Sequence, residues 1–261
     1  MTQTQLNLKT APGHQVLAAA GKQILRPGGR AATEQLFSWA NFQPGETVLE
    51  LAASFGNSAI ALAQRYGVRV VGIEKNPDSV ARARANVAAA GLSDQIEIIE
   101  GNIFHLETIT EQFDYVLAEA ILTMQSAAGK AKILAGICDR LKPNGQFLSH
   151  ELLANGPNTA TIYQDLAATI RVNANPLSVE DWIAACQQAG LTVQQSHTGS
   201  MALLKPHRIA QEEGLSTLLT IGWNMLTRPI IRQRILSMRA VFNRHRQHLG
   251  HVVLCAGKVG G

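Results

Sequence analysis

The side chains best placed to do chemistry in this sequence are acids and small residues that close short apolar runs. Glu50 lies in the run 47–51, and Ala52, Ala53, Ser54, Phe55 and Gly56 follow it. A turn built of such small residues lets a ligand approach the backbone closely, and the Ser54 hydroxyl adds a hydrogen-bonding group there. Glu74 closes a second run, 68–73, and is followed by Lys75. An ionised carboxylate only accepts hydrogen bonds, so its two oxygens can hold both hydroxyls of a ribose-like diol; the alternative is a surface acid paired with Lys75. Asn102 and Ile103 follow a third run, where an amide can accept from an exocyclic amino group and an aliphatic side chain can lie against a flat ring. If the chemistry needs a proton removed, the candidates are Glu119 after the run 113–117 and the pair His150 and Glu151 after 146–149, with His105 a second choice. Each of these has an equal claim to be a hydrogen-bonded structural residue.

These positions fall at the ends of strands in an alternating pattern. Short β-branched runs at 47–51, 68–73, 96–99, 113–117 and 146–149 are separated by helical stretches, as in a parallel sheet with helical crossovers. Asn76, Pro77 and Asp78 form a helix start, with proline in the first turn and a carboxylate at the positive end of the helix dipole, and that helix runs to Gly91. A helix over 179–189 closes at Gly190, a sixth strand begins at 192–195, and 252–256 supplies a seventh. Helices over 14–24 and 33–40 precede the first strand, and a helical insertion spans 206–249. The fold class expected is α/β, a Rossmann-like doubly wound sheet of about seven mainly parallel strands, with ligands bound at the carboxyl edge.

Composition narrows the partners. At 261 residues with 46% hydrophobic content the chain suits one α/β domain, and no apolar run approaches the length of a membrane span. The opening residues lack the basic start and apolar stretch of a signal peptide, so the cytoplasm is the expected location. Cys138, Cys186 and Cys255 are widely spaced in apolar surroundings and read as buried thiols, with no metal site. The net charge of +4 is gathered near the C-terminus, in Arg228, Arg232, Arg234, Arg239, Arg244 and Arg246, without the aromatic interleaving of a nucleic-acid surface. In the insertion, Ile231, Ile235, Met238 and Phe242 share one helix face, to be buried at the mouth of a pocket, against a neighbouring helix or in a homodimer. Arg232, Arg239 and Arg246 lie on another.

Taken together, five segments resemble the landmarks of the class I S-adenosylmethionine-dependent methyltransferases, across about residues 26–153. Glu50 to Gly56 resembles the acidic residue and G-x-G-x-G turn of the first motif, with Ala52 and Ser54 where the first two glycines usually stand. Glu74 matches the ribose-binding acid. Gly101, Asn102 and Ile103 resemble the G-D-apolar motif, with Asn102 in place of Asp. Phe113 to Val116 and Leu141 to Gly145 resemble F-D-x-V and L-K-P-G-G. Arg26, Pro27, Gly28 and Gly29 also look like a segment that some small-molecule members place near the cofactor's carboxylate.

The resemblance implies a single methyltransferase domain over 1–261, with an N-terminal helical cover (1–45), a cofactor-binding core (46–153) and the insertion 206–249 as an acceptor lid carrying Trp223, Met225 and Leu226. It implies S-adenosyl-L-methionine as cofactor, held by Gly29, Glu50, Ala52, Ser54, Gly56, Glu74, Lys75, Asn102 and Ile103. Where DNA-amino and protein-glutamine methyltransferases often carry N-P-P-Y or D-P-P-Y, this chain has Ala118, Glu119, Ala120 and Ile121, which favours a small-molecule acceptor. Two other readings use the same sheet: a non-catalytic cofactor-binding or scaffold protein with an altered glycine loop, and an NAD-dependent dehydrogenase, whose G-x-G-x-x-G fingerprint is missing.

Overall fold

Five runs of apolar residues become the strands of one sheet because each is covered on both faces. The computed structural model describes residues 7–258, so the first six residues of the expected N-terminal cover lie outside it. Strands β1 (Thr47–Leu51), β2 (Arg69–Glu74), β3 (Ile96–Glu100), β4 (Phe113–Glu119) and β5 (Leu141–Ala154) pair in parallel. Strands β6 (Leu191–Ser200) and β7 (Leu249–Lys258) add an antiparallel flank, giving the order β3-β2-β1-β4-β5-β7-β6. The order reverses between β1 and β4, and this opens a crevice at their carboxyl ends.

Helices α2 (Gly29–Ala40), α3 (Asn57–Tyr66) and α4 (Pro77–Ala89) cover one face, burying Leu36, Leu62 and Val80 with Val48, Val70 and Leu117. Helices α5 (Ala127–Arg140) and α7 (Val179–Gln188) cover the other, where Ile133, Ile137 and Trp182 meet Leu49, Val116 and Phe147. Local signals set the helix starts. The Asn76 side chain accepts from Ser79 N at 2.9 Å with Pro77 in the first turn, and Ser178 accepts from Asp181 N at 3.0 Å.

A third core lies over the carboxyl edge of β5. It joins α1 (Gly13–Ala19), α6 (Thr159–Ile170), α8 (Pro206–Thr227) and α9 (Pro229–Arg244) through Val16, Ile162, Leu166, Ile221, Ile231, Ile235 and Met238. Within it, the Arg234 guanidinium donates to the carbonyls of Leu8, Lys9 and Ala11 at 2.9 to 3.1 Å, so one of the clustered arginines is a buried tie to the chain start. Gly214 breaks α8 with φ 87° and ψ 163°.

Several boundaries differ from the sequence expectation. Helix α1 ends at Ala19 and not near residue 24, because the chain turns at Gly21, whose φ is 105°. Strand β5 starts at Leu141 because that residue pairs with Phe113 across a bulge, with Asn144 left-handed between. Strand β6 begins where expected and runs on to Ser200; its outer residues are polar and exposed, which blunts the sheet edge. Helix α6 was not expected. Among the described residues no helix is long and apolar enough to cross a membrane.

Candidate functional site

The turn after β1 keeps a glycine-like backbone with a glycine only at its last left-handed position. Ala52, Ser54 and Gly56 have φ of 55°, 51° and 76°, so all three are left-handed. An L-residue pays roughly 1 kcal/mol or more for that conformation, which surrounding bonds must offset. Ala53 N donates to Ile73 O at 3.0 Å and Gly56 N to Ala53 O at 2.8 Å. The Asn86 side chain donates to Phe55 O at 3.0 Å, and Ser54 N donates to the Glu74 carboxylate at 2.9 Å. Asn76 N binds the other Glu74 oxygen, also at 2.9 Å. Glu74 thus ties the first turn to the second. Each of its oxygens keeps a lone pair, so a diol can still be accepted.

Asn102 caps the 3-10 turn Ile103–Thr108, its Oδ1 accepting from Phe104 N at 3.1 Å, while its amide hydrogens remain for a ligand. Lys75 is exposed beside Glu74. His105 is also exposed and pairs with Glu107 at 3.0 Å, in the turn beyond Ile103. Gly29 stands at the start of α2 with φ 70°; the space a side chain would need there is taken by the Glu212 carboxylate of α8, which accepts from Arg30 N at 2.9 Å.

Beneath the crevice lies a buried charge network that brings together the N-terminal segment and the ends of β1, β4 and β5. Arg26 Nε lies 3.0 Å from Glu119 Oε2, and the same guanidinium reaches the Thr33 hydroxyl at 3.2 Å and the Ser58 hydroxyl. Thr33 donates to Glu119 Oε1 at 2.5 Å. Burial alone would raise the Glu119 carboxyl, yet Arg26, His150 and Thr33 hold it down at about 2, so it stays ionised. His150 is fully buried. Its Nε2 accepts from Gly28 N at 3.0 Å, which leaves the proton on Nδ1, facing Glu119 at 3.4 Å. Burial lowers its pKa, and the imidazole is neutral. Glu151, also fully buried, accepts from the backbone of Ile121, Leu122 and Thr123 and from the Thr123 hydroxyl, at 2.6 to 3.1 Å. Burial pushes it up to about 6 against the pull of those bonds.

Glu119, at the end of β4, and His150, beside it within β5, face each other, whereas Glu151, the next residue of β5, turns to the backbone of 121–123; the oxygens of both acids are spent on the protein, and His150 Nδ1 alone lacks a hydrogen bond. Arg26, which the resemblance sets near the cofactor's carboxylate, is in this structure the cation that ties these groups together.

Glu50 shares this network. Its Oε2 is buried without a partner, and burial pushes the carboxyl up to about 8 with Glu119 nearby and Arg26 opposing. A folded pKa above the unfolded one means that Glu50 favours the fold at low pH and withdraws that support as pH rises from the ordinary carboxyl range through about 8. Glu50→Gln keeps the neutral form throughout. Its Tm should match the wild type near about pH 5 and exceed it by several degrees near about pH 9. A thermal-melting series across pH checks this, and a constant difference would show that Glu50 does not titrate in that range.

Next to the network, an apolar cavity opens at the ends of β4 and β5. Ala120, Thr123, Met124 and Leu152 form its floor; Leu17, Leu25 and Pro27 of the N-terminal segment, Leu166 and Ile170 of α6, and Met238 and Phe242 of α9 form its walls. His14 is the polar side chain of the wall without a partner: its Nδ1 is buried and unbonded, and burial lowers its pKa. The insertion does contribute to this cavity, but through α9. The expected lid residues Trp223, Met225 and Leu226 of α8 do not line it.

A sheet of this order, with an antiparallel strand inserted beside β5 and an acid at the end of β2, is the class I S-adenosylmethionine-dependent methyltransferase fold. The sequence profile of the family described as "Methyltransferase domain" matches residues 42–203, and the chain belongs to that family. An uncharacterized protein of Haemophilus influenzae is 33% identical over 250 residues, covering 96% of this chain and 99% of that one. The arsenite methyltransferase of Halobacterium salinarum is 26% identical over 155 residues, 59% of this chain and 39% of its own length. Among solved structures, a SAM-dependent methyltransferase from Thiobacillus denitrificans in complex with S-adenosyl-L-homocysteine superposes with a TM-score of 0.67 at 18% identity, covering 92% of this chain and 95% of that one. This chain is a methyltransferase enzyme with S-adenosylmethionine as its cofactor.

Proposed function

We propose that the acceptor is a small, largely apolar molecule with one hydrogen-bonding group, methylated in the cavity at the ends of β4 and β5. The observation that carries this reading is the apolar lining beside the topological switch point, with a single unpartnered imidazole in its wall; the space it encloses is about 70 Å³, so α9 and the N-terminal segment must move apart to admit an acceptor.

The residues present fit the cofactor. The left-handed turn over Ala52, Ser54 and Gly56 holds the backbone back as glycines would, and the unbonded Glu50 Oε2 is a buried acceptor for a cationic ligand. In this reading Glu74 holds the ribose hydroxyls through its free lone pairs, Asn102 and Ile103 meet the adenine, Lys75 flanks the ribose from solvent, and Gly29 fixes the start of α2 near the methionine end. When bound, S-adenosylmethionine supplies a methyl group that is already electrophilic. The protein then has to align the acceptor and exclude water, a contribution worth about 7 kcal/mol or more where the reacting atoms are held in line. Glu119 and His150 act by fixing Arg26 and Gly28, and Glu151 by pinning the backbone of 121–123 at the cavity floor. His14, neutral in its apolar setting, orients the acceptor's polar group and takes up its proton where one must leave.

His14→Phe keeps the wall apolar and removes that group. Methyl transfer should fall by about tenfold to a hundredfold, the loss expected for one buried hydrogen bond, while S-adenosylhomocysteine affinity stays within about twofold. Single-turnover assays with a panel of lipophilic hydroxyl and amine acceptors, paired with calorimetry, test this. Equal turnover by the variant would remove His14 from the site, and turnover confined to polar, charged acceptors would remove the apolar-acceptor reading.

A further inference from the structure

The second half of α8 is apolar on two sides, and only one side is buried. After the break at Gly214, residues 215–227 contain no charged side chain. Thr217 and Ile221, with Leu218 and Met225, pack inward on the third core. On the outer side Leu215, Leu219, Trp223 and Leu226 are 69%, 73%, 66% and 72% exposed. Their spacing of four, four and three sets them in one line, about 16 Å long at the helical rise. A helix on a soluble domain needs a single apolar stripe, so a second one facing outward marks a contact surface.

The exposed charges at the end of α8 and on the next helix decide what this line fits. Arg228 follows directly, and on α9 Arg232 and Arg239 flank Leu236, itself 49% exposed, at spacings of four and three. The acids of the region are already engaged: Glu212 with Arg208, Glu213 with Lys22, and Asp165 with Arg244 and His245. Among the described residues, Arg228, Arg232 and Arg239 have no carboxylate partner. A second copy of this chain is a poor occupant, because a twofold contact lays the patch on itself and sets these arginines against their own copies. An anionic bilayer surface supplies both missing halves. Its phosphates meet the guanidinium groups, and its acyl boundary takes the leucines, with Trp223 at the headgroup level.

We propose that the outer face of residues 215–227, with Arg228, Arg232 and Arg239, docks this enzyme on an anionic lipid surface, lying on the bilayer without spanning it. This goes beyond the reading of the reaction and does not depend on it.

The test is flotation with vesicles of phosphatidylcholine alone and of phosphatidylcholine mixed with an equal part of phosphatidylglycerol, with tryptophan emission followed in parallel. Trp182 is buried and Trp39 half-buried, so Trp223 reports the contact. The wild type should float with the mixed vesicles and shift its emission to the blue. It should bind neutral vesicles more weakly by on the order of tenfold or more, and lose the anionic preference as salt rises. The pairs L219S with W223S, and R232E with R239E, should abolish flotation at an unchanged Tm, since all four side chains are exposed. Failure of the wild type to bind either vesicle, or flotation of the two double variants at wild-type levels, overturns the proposal. So does a stable dimer in sedimentation that L219S with W223S dissociates, because a second copy would then be the occupant.

Discussion

Replacing Arg26 with alanine should be the most damaging single change at the site, lowering the Tm by roughly 10 °C. The guanidinium lies 3.0 Å from Glu119, reaches Thr33 and Ser58, and is the charge that opposes the raised pKa of Glu50. Removing one partner of a buried ion pair costs about 3–5 kcal/mol, because the other is left charged out of water. In a domain of this size each kcal/mol moves the Tm by about 2–4 °C. The sign with pH follows. Arg26 holds the Glu119 carboxyl at about 2, so its help is present above the ordinary carboxyl range and fades as pH falls through that range towards about 2. The gap between variant and wild type should therefore narrow in acid. Adding Glu119→Gln to Arg26→Ala should recover part of the loss, since the uncompensated charge is gone. A loss no larger in Arg26→Ala than in a surface arginine variant such as Arg246→Ala would contradict the network.

The second large effect concerns the cofactor. Ala52→Leu should reduce S-adenosylhomocysteine affinity by more than about a hundredfold while the protein stays folded. Ala52 is left-handed and only half-buried, at the head of the turn facing the crevice between β1 and β4. A branched side chain there fills the approach that small residues keep open. Ala52→Gly and Ser54→Gly serve as controls, because glycine adopts the same φ without strain and should bind at least as well. Calorimetric titration measures all three. Normal affinity in Ala52→Leu would mean that this turn does not touch the cofactor.

Much of the fold was legible because buried parallel strands read as unbroken apolar runs. The starts of α4 and α7 were written in Asn76-Pro77 and Ser178. The place of β7 between β5 and β6 was not, since strand order within a sheet depends on pairings far apart in sequence. Helix α6 carries a local signal: Ile162, Leu166 and Ile170 recur every four residues, and the first two are buried. At the site, Glu74 and the Ala52–Gly56 turn could be found because strand ends are local features. The place of Arg26 in the charge network, and His14, could not. Arg26 gains its importance from Ser58 and Glu119, 32 and 93 residues away, and His14 from being the one unpartnered group in an apolar lining assembled from six separate segments. The outward position of Trp223 is hidden for a related reason. Its helix is apolar on both sides, and sequence alone does not say which side turns inward.

The most direct test of the account is calorimetric titration of the purified protein with S-adenosylhomocysteine, with NAD titrated in parallel. The account predicts saturable binding of one S-adenosylhomocysteine per chain, a matching rise in Tm, and no heat from NAD. Absence of S-adenosylhomocysteine binding at millimolar ligand, or NAD binding in its place, would contradict it.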